Sequence, residues 1–276
     1  MSEINEIIIR PKQRWELLDL HEIWEYRELF WIFAWRDIKI RYRQTLLGVS
    51  WVIFQPLVST FVFTIFFGNL AKIPSENMPY SLFVLIGLAF WNFFSNSLSR
   101  VSNCLLDNEN IVKKVYFPRI ILPFASMVVN YVDFLVTLVI LIIYSFVLGY
   151  IPSPQIFLIF PFGLLISTLA ACGLGTFLAS VNVKYRDIKY ILPFFTQLLI
   201  FLTPVIYPLT IVRASNRIIM AMNPMTGVIE AARTIFVKSS SIDWKILIIS
   251  AVSSVVMFLV GCIVFRKTER FFADIV

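Results

Sequence analysis

Asp133 is the one charged side chain within six long apolar stretches, which run over 44–71, 79–99, 120–150, 156–183, 190–212 and 246–265. An ionisable group inside such a stretch is costly and faces a bundle interior or a wet cavity. Two chemistries suit it: the proton site of a coupled carrier, or a structural hydrogen bond to a neighbouring helix. Carriers usually gather several intramembrane carboxylates, histidines or broken-helix ion sites. This chain offers one such carboxylate, and its single histidine, His21, lies outside the stretches, so the structural bond is the favoured reading. A second pair, Glu230 and Arg233, stands three residues apart and can meet on one helical face. Enzymatic groupings are missing: the chain has no His-Glu-x-x-His, no Gly-x-Ser-x-Gly and no Gly-Lys pair. Without Gly-Lys there is no standard phosphate-binding loop. The chain is therefore expected to be no enzyme and to hold no cofactor; any ATP-driven work needs a second polypeptide. Cys104, Cys172 and Cys262 are scattered and read as apolar packing residues, so no metal site is expected.

The stretches that carry these residues set the fold class. Each has at least 20 residues, and about 20 apolar residues at ~1.5 Å rise cross a ~30 Å hydrocarbon core. An all-α integral membrane protein with six transmembrane helices is expected, and an even number puts both termini on one face. Basic residues choose that face. Of 24 Lys and Arg, 18 fall in the N-terminal segment, the loops near 100–119 and 184–189, and the C-terminal tail. The other six are Lys72, Arg213, Arg217, Arg233, Lys238 and Lys245. The positive-inside rule then places both ends in the cytoplasm. A hydrophobic fraction of 59% and a mean hydropathy of +0.81 exceed soluble usage, while 15% charged falls below it. No segment remains for a separate soluble core. The expected units are an N-terminal cytoplasmic segment with an interfacial helix (1–43), a six-span domain (44–265) and a cytoplasmic tail (266–276). The pI of 9.4 is mainly a topology signal, because no basic face on a soluble module is visible and no nucleic-acid partner is expected. The first 20 residues are mixed polar and acidic, which argues against a cleavable signal peptide.

Three flanking segments are informative. Ile23, Tyr26, Phe30, Ala34, Ile38 and Tyr42 recur at spacings of three and four, which predicts one apolar helical stripe. Trp24, Trp31 and Trp35 widen it with rings that favour the membrane interface, so this helix lies in the headgroup plane. It is either a simple lipid anchor or, as favoured by its run into the first span without Gly or Pro, an anchor that carries force. Between the second and third spans, Asp107-Asn108-Glu109-Asn110 precedes Ile111–Phe117 and Pro118. That order predicts an Asx-type cap and a short cytoplasmic helix over 107–117, docking a partner or merely connecting. Between the fifth and sixth spans, Ile218–Ile229 is apolar but too short to cross, and Asn223-Pro224 breaks it. Two short re-entrant helices are expected there, as an extracytoplasmic gate or as a lipid-surface element.

A resemblance joins these features. Trp35-Arg36-Asp37-Ile38-Lys39-Ile40-Arg41-Tyr42-Arg43-Gln44-Thr45-Leu46-Leu47-Gly48, with Trp51 and Gln55-Pro56, is similar to the opening segment of type-2 ABC exporter permeases, polysaccharide-export branch. Further similarity lies in Lys114–Arg119 with Leu122-Pro123, Val183–Asp187, Thr203–Pro208, Asn223-Pro224-Met225 and Phe265–Asp274. The resemblance covers about residue 30 to the end. It implies a homodimer of six-span halves in the bacterial inner membrane, paired with two copies of a nucleotide-binding ATPase subunit that holds ATP and magnesium. It assigns ATPase coupling to about 23–43 and 107–117, with Trp35, Arg36, Arg41, Glu109, Asn110, Lys113 and Lys114. It assigns the extracytoplasmic gate to about 213–236, with Tyr207, Asn223, Pro224, Glu230 and Arg233 as gate residues. The implied substrate is a polysaccharide such as O-antigen, capsule or teichoic acid on an undecaprenyl lipid, threaded through a channel at the dimer centre. Aromatic residues make up 16% of the chain and can stack on sugar faces while a polymer slides. Phe54, Phe61, Trp91, Phe94 and Phe201 are the expected channel-lining set, although membrane aromatics also pack against lipid. Two rivals remain open: export of a small amphiphile on the same fold, and a secondary lipid-sugar flippase without an ATPase.

Overall fold

The computed structural model describes residues 24–43, 48–185, 187–237 and 241–269. Expectations placed on 1–23, Gln44–Leu47, Arg186, Lys238 and Arg270–Asp274 lie outside them. Helices carry the chain throughout: α1 (Arg27–Arg43), α2 (Gly48–Phe63) running into a π-helical turn (Thr64–Leu70), α3 (Tyr80–Asp107), α4 (Glu109–Lys114), α5 (Ile121–Val147) and α6 (Ile156–Lys184). There follow α7 (Ile188–Leu202), a 3-10 turn (Leu209–Ile211), α8 (Ala214–Ala221), α9 (Pro224–Thr234) and α10 (Trp244–Glu269). Ser50–Leu70, α3, α5, α6 and α10 are long and apolar enough to cross a bilayer.

The fifth crossing differs from its expectation. Residues 190–212 read as one continuous apolar stretch, yet α7 stops after 15 residues at Leu202. At ~1.5 Å per residue it spans roughly 22 Å, short of a ~30 Å core. Pro204 lies two residues beyond, and Thr203 is already extended (ψ 140°). Proline disfavours a helical conformation in the residue before it, and the surrounding apolar composition conceals that break. The short loop helix is also smaller than expected. α4 covers Glu109–Lys114 rather than 107–117. Asn108 does not cap it, because its Nδ2 donates to the Cys104 carbonyl at 2.8 Å. Val115 is extended, and Phe117 is buried 5.7 Å from the Phe33 ring of α1.

α3 is the hub, surrounded by α6, α5, α9, α2 and α7. Its backbone groups are satisfied internally, as a crossing helix requires, and its side chains are buried nearly all round. α6 and α10 cross closest. A Cβ on Gly261 would fall 2.0 Å from the Gly173 carbonyl oxygen, and one on Gly173 would fall 2.5 Å from the Met257 backbone. Small residues let two membrane helices meet backbone to backbone, where dispersion replaces the missing hydrophobic drive. Gly261→Val is expected to force the pair apart at a cost of about 3 kcal/mol or more, read as loss of monodisperse protein from detergent extracts. Unaltered thermal stability would contradict so tight a crossing.

Candidate functional site

Two polar clusters stand out, one at each end of the bundle. The first is built on the break after α7. Unwinding at Thr203 frees the carbonyls of Pro204 and Val205 from any helical ladder, and buried free carbonyls are costly. Arg233 of α9 answers them. Its Nη1 donates to Pro204 O at 2.8 Å, Nη2 to Val205 O at 2.7 Å and Nε to Phe83 O of α3 at 3.3 Å. The guanidinium lies 3.4 Å from the Phe83 ring centroid and is 1% exposed. Gly87 makes room for it: a Cβ there would come within 3.0 Å of Arg233 Nη2. The other end of α9 grips the same break. Asn223 is its N-cap, accepting from Met225 N at 3.1 Å, and its Nδ2 donates to Thr203 Oγ1 at 2.8 Å. Pro224 at the first helical position is pre-set for a helix start.

Glu230 and Arg233 approach to 3.9 Å, beyond hydrogen-bond reach. Burial pushes the Glu230 carboxyl up to about 7 against the opposing pull of Arg233. Burial lowers Arg233 to about 10 while Glu230 supports its charge. Tyr207, half-buried in the turn before the 3-10 segment, has its hydroxyl pushed up by burial alone. Tyr207, Asn223, Pro224, Glu230 and Arg233 are thus gathered around one broken backbone. Thr203, Phe83 and Gly87 complete the cluster; Thr203 opens the Thr203–Pro208 stretch noted in the sequence, whereas Phe83 and Gly87 carry no signal of their own.

The second cluster joins α1 to α5. Tyr42 donates its hydroxyl to Asp133 Oδ1 at 2.5 Å, and Arg41 Nη2 lies 2.5 Å from Asp133 Oδ2. Burial, then the bond to Asp133, holds the Tyr42 hydroxyl well above its usual range. The buried side of α1 is Phe33 and Ala34, with Phe30, Ile38 and Tyr42 partly covered. Phe33 is off the expected stripe because it meets Phe117 of the following loop. Trp24, Trp31 and Trp35 remain exposed. Arg36 folds onto Asp37 through Nε (3.0 Å) and Nη2 (2.8 Å), and Arg41 turns inward to Asp133. On α4, Lys113 pairs with Glu109 at 2.6 Å, while Asn110 and Lys114 are exposed.

The expected channel aromatics divide. Phe54 (58% exposed), Phe61 (65%) and Phe201 (53%) stand on open faces of α2 and α7. Trp91 (4%) and Phe94 (3%) are enclosed in the core, their rings 5.6 Å apart. This corrects the expectation for those two: they sit on the enclosed side of the hub helix and line no surface of the protomer.

The description "ABC-2 type transporter" matches residues 28–237, from α1 to the residues just past α9. The chain belongs to the ABC-2 type transporter family. This ABC-2 chain is 29% identical over 257 residues to an O-antigen export system permease protein RfbA of Myxococcus xanthus, covering 92% of this chain and 98% of that one. An O-antigen export system permease protein RfbA of Klebsiella pneumoniae is 24% identical, covering 90% and 95%. Polysialic acid transport protein KpsM of Escherichia coli is 20% identical, covering 85% and 91%. Both polar clusters of the ABC-2 chain fall inside the matched region. It is a multi-pass membrane protein.

Proposed function

We propose that this chain is the transmembrane permease subunit of an ATP-driven exporter that moves a lipid-linked, O-antigen-like polysaccharide from the cytoplasm across the inner membrane. The observation that carries the reading is end-to-end similarity to O-antigen export permeases, 92% of this chain against 98% of one relative. In this reading two copies pair, each with a separate nucleotide-binding ATPase subunit that supplies ATP and magnesium. Both termini are cytoplasmic, so α1 and α4 face the ATPase and α8–α9 lie on the far side. The polymer rides on an undecaprenyl carrier between the copies, against the open aromatic faces of α2 and α7. Phe54, Phe61 and Phe201 are suited to it because ring faces grip sugars without strong hydrogen bonds. ATP binding in the partner pushes α1 and α4, and hydrolysis resets them.

The test is a deletion of this chain in its native host with analysis of cytoplasmic glycans, together with tagged purification in mild detergent. Accumulated lipid-linked polymer and a co-purifying ATPase with a phosphate-binding loop are expected. An intact surface polysaccharide with increased sensitivity to small amphiphiles would replace the polymer by a drug-like cargo. Recovery of the chain alone, with transport that follows a proton gradient, would remove the ATPase and favour a flippase.

A further inference from the structure

A cavity of about 540 Å³ opens between α1, the end of α3 and the start of α5, lined by Arg36, Asp37, Ile40, Arg41, Arg100, Cys104, Asp107, Asn108 and Ser126. Three of its charges are already matched: Arg36 lies on Asp37, and Arg41 on Asp133 just beyond the lining. Arg100 and Asp107 make no hydrogen bond or close ion pair with any described residue; at longer range Arg100 feels Arg41, Asp37 and Asp133 before Asp107, and Asp107 feels Lys189 before Arg100. They are seven residues apart on α3, hence on one face and ~10 Å apart along the axis. Arg100 is the inner group and Asp107 the exposed one. Beside Asp107, Asn108 is 8% exposed and its amide is oriented by the Nδ2 bond to Cys104 O, which leaves Oδ1 without a donor. The cavity thus has an unmatched donor fork at one end and unmatched acceptors at the other; its lining carries three arginines and two aspartates, with Asp133 just beyond it on Arg41 and Lys189 acting on Asp107 from outside.

We propose that this cavity binds the zwitterionic phosphoethanolamine headgroup of a bilayer lipid, phosphate on Arg100 and primary ammonium on Asp107. A planar guanidinium suits a phosphate's oxygens. The ammonium carries three N–H donors, which suit the Asp107 carboxylate and the neighbouring Asn108 wall. The setting favours a membrane source: α1 beside the cavity exposes Trp31 and Trp35, side chains that seat at the headgroup level. The site stands independently of the exporter's cargo.

The test uses the full chain in mild detergent and native mass spectrometry with phosphatidylethanolamine, phosphatidylcholine and phosphatidylglycerol of identical acyl chains. Phosphatidylethanolamine is expected to be retained about tenfold over phosphatidylcholine, whose quaternary nitrogen has no N–H to donate. Asp107→Asn, at an exposed position, is expected to reduce that preference to parity. Arg100→Gln is expected to weaken phosphatidylethanolamine and phosphatidylglycerol alike, with Arg100→Lys recovering part of both as proof of fold. Soluble phosphoethanolamine is expected to compete only weakly. Equal retention of the three lipids would overturn the proposal, as would a phosphatidylglycerol preference that survives Asp107→Asn. Soluble headgroup binding as tight as the lipid would overturn the membrane source.

Discussion

Arg233→Ala is expected to cost about 4 kcal/mol and to remove most folded protein from the membrane. The side chain satisfies three carbonyls at once, on α3 and on the break after α7. Charged hydrogen bonds contribute about 1.5–3 kcal/mol each, and truncating a buried polar network leaves its acceptors unpaired in a medium without water. Arg233→Lys is expected to recover only part of the loss, since one ammonium on a flexible stem cannot reproduce a planar fork over Phe83. Thermal unfolding followed by size-exclusion chromatography in detergent gives the ranking wild type, Lys, Ala. Equal melting of the three proteins would show that the break is held by something other than Arg233. Glu230→Gln supplies a contrast. Glu230 stands 3.9 Å from the guanidinium and bonds none of the carbonyls, so its loss is expected to be far milder.

The second large effect is Asp133→Leu. It removes the ion-pair partner of Arg41 and deprives Tyr42 of its acceptor. Removing one partner of a largely buried ion pair costs about 3–5 kcal/mol, and the low end applies because the Arg41 side chain is 29% exposed. The damage is expected at the α1–α5 contact, so export fails while the remaining bundle stays folded. Combining Asp133→Leu with Arg41→Met is expected to restore most of the stability, because an apolar pair of similar size replaces the charge pair and only the lost Tyr42 bond remains. Melting temperatures of the two single variants and the double variant close the cycle. Additive losses in the double variant would mean that Arg41 and Asp133 do not act as a pair.

Hydropathy located the long helices well because a bilayer forces apolar side chains and internal hydrogen bonding along the whole crossing. It failed at 203–212, where composition remains apolar after the helix has ended and only Thr203-Pro204 marks the change. Trp91 and Phe94 show a second limit. An aromatic side chain facing lipid and one facing protein look alike in a hydrophobic helix. The hint lay in neighbours: Asn92, Ser95, Ser97, Ser99, Ser102 and Asn103 make α3 the most polar crossing, as suits one enclosed by other helices. Pairing across long separations was not legible. Arg233 was expected to meet Glu230 nearby, but its hydrogen bonds go to residues 28, 29 and 150 positions away. The favoured partner for Asp133 was an unspecified helix, and the structure supplies Tyr42, 91 positions earlier.

The uneven burial of the crossings has a mechanical consequence. α3, α5, α6, α9 and α10 interlock through backbone-close contacts, whereas α2 rests lightly on α3 and α5, and Leu192 is the one buried side chain of α7. A helix fastened along one narrow edge shifts with little loss of packing, while the interlocked five resist deformation as a unit. The chain is therefore a stiff frame with two compliant staves, and α1 is clamped to the frame through Asp133. The width of any passage beside α2 and α7 follows how far the staves travel. In the proposed exporter, repeats of different girth would then share one route without a pocket tailored to each.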